Sequence, residues 1–117
     1  MLSMKSGTGG GEERRFTARF KVDLRVKAFV RGARLERVVH GQASDLSLGG
    51  LSLFLPTDLA LGEVVEMELT IPFTASPVRI LTVVRNRRSY QYGVEFSNLS
   101  ADTAAAIRRA CVSLALV

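Results

Sequence analysis

One stretch of eleven residues, 20–30, constrains the fold more than any other part of the 117-residue chain. Apolar side chains stand at every second position of this stretch: Phe20, Val22, Leu24, Val26, Ala28 and Val30. Charged residues fill most of the positions between them. A period of two places the apolar side chains on one face of a β-strand, whereas a helix would spread them around its circumference. The stretch therefore predicts a strand with one buried face and one face in water.

The same alternation returns between turn residues along most of the chain. After a turn at Gly32, it predicts further strands at about residues 34–43, 51–55, 65–73, 78–86 and 90–96. A cluster of polar residues and glycine at 44–50 predicts a turn, and the short link at 87–89 predicts a hairpin. Short alternating strands at this spacing are typical of a small antiparallel barrel or sandwich.

The apolar period changes near the C-terminus. Ser100 is a favourable helix N-cap, and Ile107, Ala110 and Cys111 follow at helical spacing. The pattern predicts one amphipathic helix of about four turns, with Cys111 packed in the core. The chain as a whole is therefore expected to be an all-β fold with a C-terminal helix.

Residues 1–12 are rich in glycine and polar side chains, which predicts a flexible N-terminal tail before a single domain over residues 13–117. They lack the apolar stretch of a signal peptide. The longest apolar runs of the chain are only a few residues, far below the ~20 that a membrane-spanning helix needs. We therefore predict a cytoplasmic protein without membrane insertion, and a single free thiol agrees with that compartment.

Composition argues against catalysis. One cysteine, Cys111, and one histidine, His40, exclude an internal disulfide framework, a zinc site built on several thiolates and a histidine-rich metal site. A lone histidine leaves few ways to pair a nucleophile with a base, and no phosphate-binding loop of the Walker type is present. We therefore predict a protein that is not an enzyme and carries no catalytic residues, metal or cofactor.

Charge is distributed in three blocks. Residues 1–40 carry ten basic and four acidic side chains, residues 41–78 carry five acidic and no basic ones, and residues 79–117 carry six basic and two acidic ones. The whole chain has a net charge of +5. A basic N-terminal block is typical of proteins with an anionic partner such as nucleic acid, a nucleotide or acidic lipid, and also of surfaces that are only solvated.

The first motif with ligand-binding chemistry lies just before the first predicted strand. Arg15 and Arg19 stand four residues apart there. Arginine suits phosphate because its planar fork donates two parallel hydrogen bonds. The same fork matches the O6 and N7 atoms of guanine, and its flat face stacks on a base. The pair is therefore suited to one anionic ligand, although basic pairs near a terminus are often only solvated.

A second motif lies in the turn cluster between the second and third strands. Asp45 and Ser47 place a carboxylate and a hydroxyl close together, and Gly50 permits a close backbone approach or a positive φ. The carboxylate can accept from a guanine edge, and the hydroxyl can donate to a phosphate or a base. The alternative is a loop in which these polar side chains only form hydrogen bonds with the loop's own backbone.

Together, Arg-x-x-x-Arg before the first strand and Asp-x-Ser-x-x-Gly between the second and third resemble the PilZ domain, from about residue 13 to the C-terminus. The resemblance implies a six-stranded antiparallel β-barrel that binds the bacterial second messenger cyclic di-GMP. By the same resemblance, Arg15 and Arg19 hold phosphates and guanine edges of the ligand. Asp45 and Ser47 read a guanine, and Gly50 shapes the turn.

Further expectations follow from the resemblance. Arg14 favours binding of an intercalated pair of cyclic di-GMP molecules over a single one. Arg85 and Arg87, near the end of the fifth strand, reach the ligand from the barrel wall. The implied function is that of a non-catalytic receptor, whose N-terminal segment becomes ordered around the ligand and signals to an unidentified effector protein in trans.

Two other functions are compatible with the sequence. One is a PilZ-like protein–protein adaptor without a ligand, against which the intact motifs argue. The other is a small basic barrel that binds nucleic acid, which needs exposed aromatic platforms for stacking. The chain has no tryptophan, and Phe20, Phe73 and Phe96 fall at core positions of the pattern. We therefore do not expect a nucleic-acid partner.

Overall fold

The computed structural model describes residues 19–71 and 76–115, and for residues 114 and 115 it describes the backbone alone. This part of the chain contains six β-strands and one α-helix. In chain order they are β1 Phe20–Arg31, β2 Glu36–Leu46, β3 Gly50–Phe54, β4 Val64–Leu69, β5 Val78–Arg88, β6 Gln91–Ser97 and α1 Ala101–Ala115. The predicted flexible tail, residues 1–12, lies outside the described residues.

The strands form a closed antiparallel barrel in the order β1-β2-β3-β6-β5-β4, and β4 pairs back onto β1. The predicted all-β fold with a C-terminal helix is therefore confirmed, and of the two architectures it is the barrel. Neighbouring strands run in opposite directions, so their connections alternate between two ends. We call the end formed by residues 32–35, 55–63 and 89–90 the hairpin end. We call the end formed by Arg19 and residues 47–49, 70–71 and 76–77 the motif end.

Alternating side chains from all six strands meet inside the barrel. On β1 the buried positions are the predicted ones, Leu24, Val26, Ala28 and Val30, with Phe20 and Val22 half-buried at the motif end. The largest fully buried side chains are Tyr92, Leu46, Leu53, Leu55, Met67, Leu69, Ile71 and Ile107. The buried hydroxyl of Thr82 donates to the carbonyl oxygen of Val65 at 2.7 Å, so this polar group keeps a partner in the core.

Helix α1 begins where the sequence predicts. The Ser100 hydroxyl oxygen accepts a hydrogen bond from the backbone N–H of Thr103 at 3.1 Å, and Asp102 lies in the first turn, where a carboxylate suits the helix dipole. The buried face consists of Ala106, Ile107, Ala110 and Cys111. Desolvation on this face raises the pKa of the Cys111 thiol, and the predicted core position of this residue is confirmed.

Two side chains fasten the connections at the hairpin end. The hydroxyl of Tyr92 donates to the carbonyl oxygen of Thr57 at 2.5 Å and accepts from the N–H of Leu59 at 3.0 Å. The guanidinium of Arg87 bonds Asp58 at 2.5 Å and the carbonyl oxygen of Leu59 at 3.2 Å. The hydrogen bond with Asp58 raises the pKa of Arg87. Arg87 therefore holds a loop at the hairpin end.

Two strand ends differ from the sequence prediction by three residues or more. Strand β2 runs to Leu46, three residues beyond the predicted end, because Leu46 and Asp45 pair with β3. At Ser44 the pairing of β2 with β1 and with β3 is irregular, which shifts the alternation of buried and exposed side chains. The sequence pattern therefore does not show that β2 continues past this residue. Strand β4 ends at Leu69, and residues 72–75, which the sequence partly assigns to this strand, lie outside the described residues.

Candidate ligand-binding site

The structure brings one residue of each motif together at the motif end. Arg19 directly precedes β1, and its guanidinium lies 3.2 Å from a carboxylate oxygen of Asp45 on β2. The same guanidinium donates to the hydroxyl of Ser52 on β3 at 3.3 Å. The Arg19 side chain is 62% exposed and that of Asp45 is 27% exposed. An ion pair this open to water contributes at most about 1 kcal/mol, so both groups are available to another partner.

Asp45 lies in a strand, and this corrects the sequence expectation that placed it in a turn. It is paired with Lys21 on β1 and with Ser52 on β3, so its side chain projects from the outer wall of the barrel. The turn itself is limited to the residues between β2 and β3. A strand position suits a binding residue, because the ladder on both sides fixes the direction of the carboxylate.

Ser47 holds the turn between β2 and β3. Its side chain is buried, and its hydroxyl oxygen lies 3.2 Å from the backbone N–H groups of Gly49 and Gly50. The backbone N–H of Ser47 donates to the carbonyl oxygen of Gly50 at 2.9 Å and closes the turn. Ser47 therefore stabilises the turn, and it contributes to the site by shaping this turn.

Two glycines on neighbouring strands leave a shallow floor on the outer wall. A Cβ atom on Gly50 would lie 2.0 Å from the carbonyl oxygen of Val94 on β6, so only glycine fits this approach of β3 to β6. Gly93 is paired with Ser52, and a Cβ atom there would lie 2.5 Å from the side chain of Asn86. The carbonyl oxygen of Val94 and the side chain of Asn86 therefore take the space that side chains on Gly50 and Gly93 would fill, and Asn86 forms part of this floor.

Arg85 lies on the far side of this floor. It occupies an irregular position of β5, between Val84 and Asn86, and its guanidinium lies 2.7 Å from the carboxylate of Glu95 on β6. Glu95 is paired with Gly50 on its other side. The predicted Arg85 therefore borders the same outer face as Asp45, whereas Arg87 is engaged at the hairpin end.

The described residues thus supply part of the predicted site. Arg19, Asp45, Gly50 and Arg85 share one outer face of the barrel, and Ser47 supports it from the adjoining turn. Arg14 and Arg15 lie outside the described residues, so their predicted roles stay predictions.

Three polar residues of this face are not identifiable from the sequence motifs: Ser52, Asn86 and Glu95. Each stands outside the two motifs, and each becomes relevant only through strand pairing. One row of cross-strand partners runs Lys21, Asp45, Ser52, Gly93 and Asn86. The alternation of β3 would assign Ser52 to the outer face, but no local signal places that position beside Arg19.

A second concavity opens elsewhere on the outer wall. It has a volume of about 440 Å³ and is lined mainly by polar side chains of three strands, including Arg25, Lys27, His40, Gln42 and Glu68. His40 is exposed on β2. The groove shares no lining residue with the two motifs, so it is a separate candidate site for a ligand.

Within residues 19–71 and 76–115, no group of three or more histidine, cysteine, aspartate and glutamate side chains is arranged to hold a metal ion. No helix in these same ranges is long and apolar enough to cross a bilayer.

Comparison with solved structures identifies similar barrels. The chain superposes on the Bacillus subtilis inhibitor of motility MotI/DgrA with a TM-score of 0.67 and 21% identity, covering 88% of this chain and 52% of that one. It therefore spans about half the length of the MotI chain. The PilZ domain of Escherichia coli YcgR, solved with c-di-GMP, gives a TM-score of 0.68 and 17% identity, with 88% and 92% of the chains covered.

A third similar structure is the PilZ domain of CeSA from a cellulose-synthesising bacterium, with a TM-score of 0.63, 15% identity and coverage of 84% and 98%. At such low sequence identities the superpositions support a shared fold alone. No curated protein sequence matches the chain. A sequence model of the PilZ domain, however, matches residues 13–113, which is most of the chain. This match, together with the closed barrel and the C-terminal helix, shows that the chain belongs to the PilZ domain family.

Proposed function

We propose that this protein is a non-catalytic receptor for cyclic di-GMP, which binds on the outer wall of the barrel at the motif end. Membership of the PilZ domain family supports the ligand, and one neighbour, the PilZ domain of YcgR, was solved with c-di-GMP. The proposed ligand-contacting residues are Arg14, Arg15, Arg19, Asp45, Gly50 and Arg85. Ser47 is proposed to support binding by holding the turn that positions Gly50.

The observation that carries the proposal is the contact between Arg19 and Asp45 beside Ser52. Their separation of 3.2 Å puts a cation for phosphate next to a carboxylate for a guanine edge. The pair is exposed, so the cost of separating it is small compared with the charge-assisted hydrogen bonds that the ligand offers to both groups. In the proposed complex, phosphate replaces Asp45 as the partner of Arg19.

The glycine floor supports the same ligand. Cyclic di-GMP presents flat guanine bases, and neither Gly50 nor Gly93 carries a side chain that would meet a base. A base over Gly93 is proposed to displace the movable side chain of Asn86. Arg85 borders this floor, and its planar guanidinium can stack on a base once it leaves Glu95. Arg14 and Arg15 add two cations, and we propose that Arg14 favours an intercalated pair of ligands.

The proposed output acts in trans. We propose that the ligand orders the segment that carries Arg14 and Arg15 against the barrel, and that the altered surface is recognised by an effector protein in the cytoplasm. Trypsin cleaves after arginine, so saturating cyclic di-GMP is expected to slow cleavage at Arg14 and Arg15. Equal cleavage rates with and without ligand would contradict the ordering step.

Calorimetric titration tests the binding proposal. Saturable binding of cyclic di-GMP is expected, with no comparable binding of GTP or cyclic di-AMP. Arg19→Ala removes a charged hydrogen-bond donor and is expected to weaken binding by about 10- to 100-fold. Arg25→Ala is the matched control, because Arg25 is an exposed arginine of β1 that lines the second groove.

The outcomes separate the alternatives. A loss of cyclic di-GMP affinity in Arg19→Ala, with unchanged affinity in Arg25→Ala, supports binding at the motif end. The reverse pattern moves the ligand to the second groove and overturns the proposed site. A folded protein that takes up no cyclic di-GMP at tens of micromolar overturns the receptor proposal in favour of the adaptor function. The stoichiometry of the wild-type titration tests the intercalated pair.

A further inference from the structure

The net charge of the protein is concentrated in its first hairpin. Residues 19–40 carry seven basic and two acidic side chains, a net charge of +5, which equals the net charge of the whole chain. The remaining residues are therefore electrically balanced. The cyclic di-GMP proposal uses only Arg19 of these seven cations, and three of the others, Arg31, Arg34 and Arg37, lie in or directly beside the β1–β2 turn at the hairpin end.

The hairpin end also exposes apolar side chains on three separate connections. Leu35 is 76% exposed in the β1–β2 turn, Leu61 is 66% exposed before β4, and Tyr90 is 41% exposed between β5 and β6. A monomeric protein normally scatters such residues singly over its surface. Here the antiparallel topology brings three of them to one end of the barrel.

Hydrogen bonds join the three connections into one surface. Arg37 of β2 donates to the hydroxyl of Thr57 at 3.1 Å, and the N–H of Leu55 donates to the carbonyl oxygen of Tyr90 at 2.9 Å. Arg87 bridges the same β3–β4 connection to β5 through Asp58. The exposed apolar residues are therefore presented together on a supported surface.

The same end has cations available for an outside partner. Among the described residues, Arg31, Arg34 and Arg88 make no ion pair. Two of the three nearby carboxylates are already engaged, since Asp58 pairs with Arg87 and Glu63 accepts the N–H of Ala60. The third, Glu36, lies opposite Arg31 in the strand register.

We infer that the hairpin end docks on an anionic phospholipid surface. A bilayer interface takes apolar and aromatic tips such as Leu35, Leu61 and Tyr90, and its phosphates attract the surrounding arginines. A nucleic acid would satisfy the arginines but leave Leu35 and Leu61 in water. The protein then lies on the membrane without spanning it. The antiparallel order of the strands brings these cations to one end of the barrel.

Docking by this end leaves the motif end free. Strand β1 has 12 residues, which span about 40 Å, so Leu35 lies far from Arg19. Electrostatic attraction to lipid decays over about 8 Å at physiological salt, so cations near the hairpin end dominate the interaction. Arg25 lies six residues before Arg31 on β1, about 20 Å away, and contributes little.

Vesicle sedimentation of the full chain tests the inference. The vesicles contain phosphatidylglycerol and phosphatidylcholine in equal parts, or phosphatidylcholine alone. Binding to the anionic vesicles is expected, with a decrease at high salt. Leu35→Ser is expected to lower the partition coefficient about tenfold, and Arg34→Gln about fivefold. The matched controls are Val112→Ser, on the exposed side of α1, and Arg25→Gln.

The controls are expected to stay within about twofold of the wild type, because Arg25 lies about 20 Å before the hairpin end on β1 and exposed Val112 belongs to α1, which follows the end of β6 opposite the hairpin end. No binding to anionic vesicles overturns the inference and leaves this face to a protein partner. Equal losses of the partition coefficient in Arg34→Gln and Arg25→Gln also overturn it, because the protein would then bind through its overall positive charge and not through the hairpin end. Cyclic di-GMP titration of Leu35→Ser is expected to match wild type, so failure of this inference is distinguishable from failure of the receptor proposal.

Discussion

The substitution Ser47→Ala separates a structural from a ligand-contacting role of the second motif. The Ser47 hydroxyl oxygen lies 3.2 Å from two backbone N–H groups, those of Gly49 and Gly50, and 3.3 Å from the carbonyl oxygen of Gly50. Ser47 itself is only 5% exposed, so water replaces the lost hydroxyl poorly. Each N–H loses a partner whose net contribution is about 0.5–1.5 kcal/mol. The expected loss in free energy of unfolding is about 1–3 kcal/mol.

Equilibrium unfolding in urea measures this loss. The chain has no tryptophan, so far-UV circular dichroism is the suitable signal. With a typical urea dependence for a domain of this size, the midpoint is expected to fall by about 1 M. Ser44→Ala is the matched control, because Ser44 is exposed and its hydroxyl makes a 3.3 Å hydrogen bond to the carbonyl oxygen of Ser52. Its expected effect is below about 0.5 kcal/mol.

Two results would refute this reasoning. If Ser47→Ala unfolds at the same urea concentration as Ser44→Ala, the hydroxyl does not hold the turn. If Ser47→Ala keeps full stability but loses cyclic di-GMP binding, Ser47 contacts the ligand directly. The structural account expects lower stability together with weaker binding, since a loosened turn no longer positions Gly50.

Three further predictions concern the barrel and its core. Gly50→Ala forces β3 away from the carbonyl oxygen of Val94 and is expected to cost more than about 3 kcal/mol in urea unfolding. Gly93→Ala is expected to cost less, because it meets the movable side chain of Asn86. Tyr92→Phe leaves the carbonyl oxygen of Thr57 and the N–H of Leu59 without their buried partner, which predicts a loss of about 2–4 kcal/mol by the same assay. Burial raises the pKa of Cys111, so its contribution is complete below the ordinary thiol pKa and is lost as pH rises through the folded value. Tm measured from neutral to alkaline pH is expected to fall more steeply for wild type than for Cys111→Ala, and parallel curves would contradict this.

Much of the fold follows from local pattern. The alternation of β1 identifies the buried positions from Leu24 to Val30, and the Ser100 cap marks the start of α1. These features depend on residues close in sequence, so one amino-acid sequence is enough to predict them. The end of β2 was missed because the irregularity at Ser44 breaks the alternation on which the prediction relied.

The candidate site was predicted only in part, for a physical reason. The two motifs identify Arg19 and Asp45, but the contacts around them come from strand pairing between distant segments. Ser52 is 33 residues from Arg19, and Glu95 is 10 residues from Arg85 on the other strand of a hairpin. The register of strand pairing sets these partners, and the pairing of β3 with β6 joins the two groups on one face. Neither composition nor periodicity encodes this register or the pairing of β3 with β6.

The location of the ligand is the central claim, and an NMR titration tests it most directly. Uniformly ¹⁵N-labelled protein is titrated with cyclic di-GMP, and amide shifts are followed residue by residue. The account predicts the largest changes at the motif end and its outer wall, at Gly49, Gly50, Ser52, Gly93 and Glu95. The amides of residues 32–35 at the hairpin end are expected to stay unchanged. Large changes confined to the hairpin end or to the groove beside Arg25, with Gly50 and Ser52 unmoved, would contradict the account.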